Sequence, residues 1–387
     1  MIIPFDRAAR HGAIMPGQTI RLAMAGSIKG WRPVHGTAAR PGKRRLECPT
    51  MAMFDLSLSE LWAYRPEVYE PPDFDDFWRD TIEMAGGSDL AATASKIDNK
   101  LAVIDSYDVS FAGYGGTPVR AWLNVPAGAT GPLPAVVQYH GYSRGRGYPH
   151  TNTIWAQAGW AHFSMDTRGQ GWHSGGTDTT DDASADAGGI HAPGFLTAGI
   201  ADRNTYYYRR VYIDALRMLE VARTHPLVDP NRLIVTGISQ GGGITLAAAG
   251  LASMAGISLR GVAPDVPFLC HFRRATEITD EHPYAEISAF LAGWRHLENA
   301  AYHTLGYFDG VHLGRRAAAP ALFSVALMDA VCPPSTVFAA FHAYGGGTGV
   351  AKDIEVYTHN GHEGGVDYQV ERQLGWFAER FGDQASP

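Results

Sequence analysis

From residue 53 onward the spacing of apolar and polar positions changes period several times, and each change predicts an element. Residues 55–62 (DLSLSELW) read as a capped amphipathic helical turn. Pro71-Pro72-Asp73, with Phe74, Phe77 and Trp78 after it, opens a helix running to about residue 84. Residues 101–125 alternate, with Tyr107, Val109 and Phe111, then Val119, Ala121, Leu123 and Val125 beyond Gly115-Gly116. That is the period of antiparallel strands at a sheet edge. Residues 134–142 and 161–166 are strands, the first ending in a turn, and 233–236 is a short buried one. Residues 206–222 carry Val211, Ala215, Leu216, Leu219 and Ala222 on one helical face. Later come a helix-compatible run at 244–251, an apolar strand at 320–328, a short strand at 354–357 and a final helix at 368–381.

Composition narrows the class. The chain has 387 residues, 45% of them hydrophobic and 18% charged, which describes a globular protein with room for one large α/β domain or two smaller ones. No apolar run reaches membrane-spanning length, so no membrane partner is expected. A net charge of -7 argues against a nucleic-acid partner. Three cysteines (Cys48, Cys270, Cys332) without a C-x-x-C spacing suit a reducing compartment, and the cytoplasm is the expected location. Residues 1–52 differ from the rest. The first fifty hold nine Lys or Arg against two acids, with frequent Gly and Pro, and 20–28 is too short and too interrupted for a secretory signal. The expectation is a poorly structured basic extension, with Met53 a plausible true start, ahead of one domain over 53–387.

Chemistry concentrates at Gly237-Ile238-Ser239-Gln240-Gly241, which fits G-x-S-x-G between a strand and an Ala-rich helix. Such an elbow presents a serine hydroxyl at the top of a sheet, and its glycines relieve a strained turn. A tetrahedral oxyanion then needs two backbone N–H donors. Gln240 supplies the first, and Tyr142, in the turn His140-Gly141-Tyr142, fits the second. Because Gln240 would act through its backbone, truncating its side chain is expected to spare activity. The serine also needs a base and an acid, in the order Ser, acid, His, each after a later strand. Asp329 stands at the end of the 320–328 strand, while Asp353 precedes its strand and stands at the wrong end. His359 and His362 share the loop after 354–357, and His362, beyond Gly361 and before the final helix, is preferred. Pro267 and Val331, with Tyr142, are the expected substrate contacts, forming a small acyl pocket. Arg168 is read as tying loops together, Tyr206-Tyr207-Tyr208 as packing, and Asp181, Asp182 and Asp186 as a solvated surface. No dinucleotide motif, P-loop or metal spacing is present, so no cofactor and no metal are expected.

Arg168-Gly169-Gln170, Gly237-Ile238-Ser239-Gln240-Gly241 and His362-Glu363 together make the chain from residue 53 to about 381 resemble carbohydrate esterase family 7, the acetyl xylan esterases and cephalosporin C deacetylases. The resemblance implies an α/β-hydrolase fold: a mostly parallel central sheet flanked by helices. It implies Ser239, Asp329 and His362 as a triad, Tyr142 and Gln240 as oxyanion donors, and a homo-hexamer. The activity it implies is hydrolysis of acetyl esters of sugars such as xylo-oligosaccharides, and of small alcohols such as cephalosporin C, through an acetyl-enzyme. Two rivals remain. One is a peptidase of the prolyl-oligopeptidase type, whose usual N-terminal propeller repeat is not seen here. The other is a non-catalytic binding protein on the same fold.

Overall fold

The alternating stretch and the later apolar runs build two halves of one sheet. The computed structural model describes residues 53–173, 176, 178–181 and 194–382, all of which fall in one compact unit. The expectations placed on 1–52 and on Asp182 and Asp186 lie outside the described residues. The described strands are β1 (Thr93–Ile97), β2 (Ile104–Ala112), β3 (Pro118–Pro126), β4 (Leu133–Tyr139), β5 (Ala161–Met165), β6 (Val228–Ile238), β7 (Gly261–Asp265), β8 (Ala321–Ala326) and β9 (Lys352–Tyr357). Their spatial order is β1-β2-β3-β5-β4-β6-β7-β8-β9. Pairing is antiparallel from β1 to β5 and parallel from β5 through β4 to β9.

Helices explain the difference between the halves. They are α1 (Leu58–Ala63), α2 (Phe74–Gly86), α3 (Ile154–Gln157), α4 (Tyr207–Thr224), α5 (Gln240–Met254), α6 (Phe272–Ile278), α7 (Tyr284–Gly293), α8 (Glu298–Phe308), α9 (Gly310–Arg315), α10 (Pro334–Ala343) and α11 (Val366–Phe381). On one face, α4 and α5 cover Val137 and Val235 in the larger core. On the other, Trp155 of α3 and Trp376 and Phe377 of α11 cover Val136 and Ile234. A parallel strand covered on both faces needs no polar side, hence the unbroken apolar runs. β2 alternates because one of its faces is more open. Ser57 caps α1 through a full capping box with Glu60. Trp78 of α2 is fully buried and donates its Nε1–H to the Tyr307 carbonyl at 2.8 Å.

Three features have no counterpart in the pattern. β1 (TASKI) is largely exposed and held by backbone pairing to β2, so it leaves no hydrophobic signature. β7 (GVAPD) is five residues long and holds both Gly and Pro. Between it and β9, helices α6 to α10 occupy much of 272–343, where the sequence shows only one strand.

Candidate active site

β6 runs into Ser239, which has φ 60° and ψ -121°, and α5 starts at the next residue. A side chain in that left-handed region is strained, and the surrounding backbone holds it there. Ser239 N–H donates to the Asp265 carbonyl at 2.9 Å, and its own carbonyl accepts from Phe268 and Gly243 N–H groups. Two glycines make the approach possible. A Cβ on Gly237 would lie 2.5 Å from the Gly241 carbonyl carbon, and one on Gly241 would lie 2.2 Å from the Tyr139 oxygen.

The structure brings the three expected side chains into one hydrogen-bonded line. Ser239 Oγ is 2.9 Å from His362 Nε2, and His362 Nδ1 is 2.9 Å from Asp329 Oδ2. Asp329 is fully buried, and its other oxygen accepts the Val331 and Cys332 N–H groups at 2.8 Å each. With Nδ1–H held by the carboxylate, the neutral ring offers an Nε2 lone pair to the serine hydroxyl. The loop carrying His362 is itself tied, since Glu363 accepts from Gly361 N–H and the Asn360 amide. His359 is exposed and lines a different surface concavity with Tyr357 and Arg372. Asp329, Cys332 and His362 place three metal-ligand atoms within 4.8 Å of one another. Two of those residues already bond each other, and burial pushes the Cys332 thiol up, keeping it protonated.

Gly141 packs over the serine, its Cβ position 3.9 Å from Ser239 Cβ, which carries the Tyr142 backbone to the rim of the site. The Gln240 N–H opens α5, where the helix dipole adds positive potential. The side chains around these two amides form networks that the sequence did not reveal. Gln240 is fully buried: its oxygen accepts from Tyr208 and Gln170, and its amide donates to the His140 carbonyl and to Gln170. Gln170 in turn accepts the Ser143 N–H at 2.8 Å, fixing the turn after Tyr142. The Gln240 side chain is therefore part of the framework that holds the elbow, which sets its surroundings against the expectation that truncating it would spare activity. Tyr142 donates its hydroxyl to Glu286 of α7 at 2.8 Å and accepts the Phe195 N–H at 2.6 Å, while Glu286 also accepts the Leu196 N–H. Burial and the neighbouring carboxylate raise the Tyr142 pKa, so its hydroxyl stays a donor. Glu286 lies on a helix far along the chain, and no local pattern singled it out.

The other expectations sort by burial. A cavity of about 530 Å³ above Ser239 is lined by Tyr142, Val331 and His362, with Arg144, His173 and His282. Pro267 is not among those residues. It is buried beneath the elbow, its Cα 2.9 Å from where a Gly242 Cβ would stand, so it is a packing residue rather than a pocket wall. Arg168 is fully buried and forks onto Asp214 with bonds of 2.6 and 2.8 Å, tying the β5 loop to α4. Asp181 is no solvated residue, since Arg168 and Arg210 both bond it and its side chain is only 12% exposed. The three tyrosines at 206–208 are fully buried, as packing requires.

A serine at a strand-to-helix elbow, with an acid and a histidine following two later strands of a mostly parallel sheet, defines an α/β-hydrolase. More narrowly, the chain belongs to the Acetyl xylan esterase (AXE1) family, which matches residues 51–380. It is similar to a solved acetyl xylan esterase from Paenibacillus sp. R4, with 38% identity and a TM-score of 0.77, over 84% of this chain and 99% of that one. Acetyl xylan esterase 1 from Thermoanaerobacterium sp. JW/SL YS485 has 29% identity and a TM-score of 0.76 over the same shares. Acetyl esterase Axe7A of Xylanibacter ruminicola is 24% identical over 71% of this chain. The aligned part spans 60% of that longer relative.

Proposed function

We propose that this protein is a serine esterase that removes acetyl groups from sugar alcohols, acetylated xylo-oligosaccharides first among them. The observation that carries it is the unbroken line Asp329–His362–Ser239, opening into the cavity beside Tyr142. His362 takes the serine proton as Oγ attacks the acetyl carbonyl. The Tyr142 and Gln240 N–H groups hold the oxyanion, and buried Asp329 stabilises the imidazolium. His362 then protonates the departing sugar oxygen, leaving an acetyl-Ser239. Water, activated by the same histidine, releases acetate and restores the serine. Val331 and Tyr142 line the cavity, which supports assigning them as contacts of the acetyl group. Small acetylated alcohols such as cephalosporin C fit the same chemistry. Family resemblance supports a homo-hexamer, and two free buried cysteines, Cys270 and Cys332, accord with a cytoplasmic location. No described helix is long and apolar enough to cross a membrane.

The test is acetate release from acetylated xylo-oligosaccharides, run beside fluorophosphonate labelling. Labelling at Ser239 with release of acetate is the expected result. Peptide cleavage without acetate release would favour the peptidase rival, and neither labelling nor turnover would favour a binding protein.

A further inference from the structure

Beside the elbow, four neighbouring strands change character at the same level. On the face toward α3 and α11, Val136, Ile234, Ala263 and Leu322 belong to the apolar core shared with Trp155, Trp376 and Phe377. Two residues further along each strand, on the same face, stand Gln138, Thr236, Asp265 and Ser324. The register aligns them, with Gln138 opposite Thr236 and Asp265 opposite Ser324. A sheet covered by helices gains nothing from a polar row, because each buried polar group costs about 1–3 kcal/mol unless bonded. Here α11 supplies bonds. Gln369 and Gln373, one turn apart, donate to the two Asp265 oxygens at 2.7 Å each. α3 has only four residues. It covers the apolar level and leaves the polar one facing a cavity of about 750 Å³.

That cavity adjoins the catalytic one. Arg144, Ile238 and Glu363 line both, and Ile238 immediately precedes Ser239. Asp265, on its floor, accepts the Ser239 backbone N–H. Its polar walls also include Asn152 and Asp367. Its rim carries exposed aliphatic side chains: Ile154 (39%), Ile238 (40%) and Val366 (56%). Amides, hydroxyls and carboxyls beside exposed aliphatic carbon match a sugar, whose ring offers hydroxyls at its edge and C–H groups on its face. Two carboxylates (Glu363, Asp367) against one arginine disfavour an anion. The volume exceeds what one pyranose fills and sits within the range of ordinary ligand sites.

We propose that this cavity is a second saccharide subsite, which holds the neutral sugar chain beyond the ring whose acetyl group lies over Ser239. The proposal rests on the sugar-esterase reading above. Burial moves the Asp265 carboxyl up to about 7, so near neutrality its protonated fraction can donate to a sugar hydroxyl and its ionised fraction can accept from one.

The test compares kcat/KM on acetylated xylotriose, acetylated xylose and p-nitrophenyl acetate for the full chain and for the double variant Asn152→Ala/Asp367→Ala. Wild type should favour the longer sugar. In the variant, the ratio of kcat/KM for the xylotriose ester to that for p-nitrophenyl acetate should fall about tenfold, through KM, as expected for two lost hydrogen bonds. An unchanged ratio, or a wild type indifferent to chain length while it deacetylates both sugars, overturns the subsite alone. Turnover of p-nitrophenyl acetate with neither sugar ester accepted overturns the sugar-esterase reading and the subsite with it.

Discussion

At the scale of single residues, the site is held by side chains buried behind it, Gln240 and Glu286 among them. Gln240 shows how. Its backbone N–H opens α5, while its side-chain amide joins Tyr208, Gln170 and the His140 carbonyl. Gln240→Ala would strand these partners, at about 1–3 kcal/mol for each left unpaired. Thermal unfolding should show a lower Tm and p-nitrophenyl acetate kinetics a lower kcat; an unchanged pair would contradict the network's role. Glu286 positions Tyr142 through its hydroxyl and anchors the Leu196 backbone N–H. Glu286→Ala should lower kcat by ~10–100-fold with little change in KM, short of the ~10²–10³-fold cost of removing an oxyanion donor outright. A change confined to KM would assign Glu286 to substrate binding instead.

At the scale of elements, two buried histidines and one partly buried acid set opposite pH trends. Burial lowers His140 to about 4 and His162 to about 3, so both stay neutral when folded but take up protons when unfolded below ~6.5. The unfolded state then binds more protons, and stability rises with pH from about 4 to 6.5. Asp265 acts the other way: burial raises it to about 7, so the folded state keeps a proton that the unfolded chain loses above ~4. Its contribution therefore falls as pH rises from about 4 to 7. Asp265→Asn should steepen the rise of Tm between pH 4 and 6.5, and a flatter curve would contradict these assignments. Legibility followed the same physics. β4, β5 and β8 were visible because burial on both faces leaves unbroken apolar runs, and the elbow because its glycines answer steric contacts. β1 was invisible because its side chains are largely exposed, and backbone pairing to β2 with the Lys96–Asp105 ion pair leaves no apolar signature. The turns bearing Asp329 and His362 were legible from strand order. The Gln240 and Glu286 networks were not, because their partners lie 32 to 144 residues away.

At the scale of the whole molecule, the matched family covers residues 51–380, and the sheet, the triad line and both cores except Phe381 lie within that span. A chain starting at Met53 should keep the full-length kcat on p-nitrophenyl acetate. Loss of activity with a normal Tm would give residues 1–52 a part in the site. The central claim is that Ser239 Oγ, aligned by His362 and Asp329, carries the acetyl group. The most direct measurement is p-nitrophenyl acetate turnover by Ser239→Ala beside wild type, with circular dichroism to establish that both are folded. The variant should fold, with a kcat lower by ~10⁴-fold or more. A folded variant with wild-type turnover would rule out Ser239 as the nucleophile.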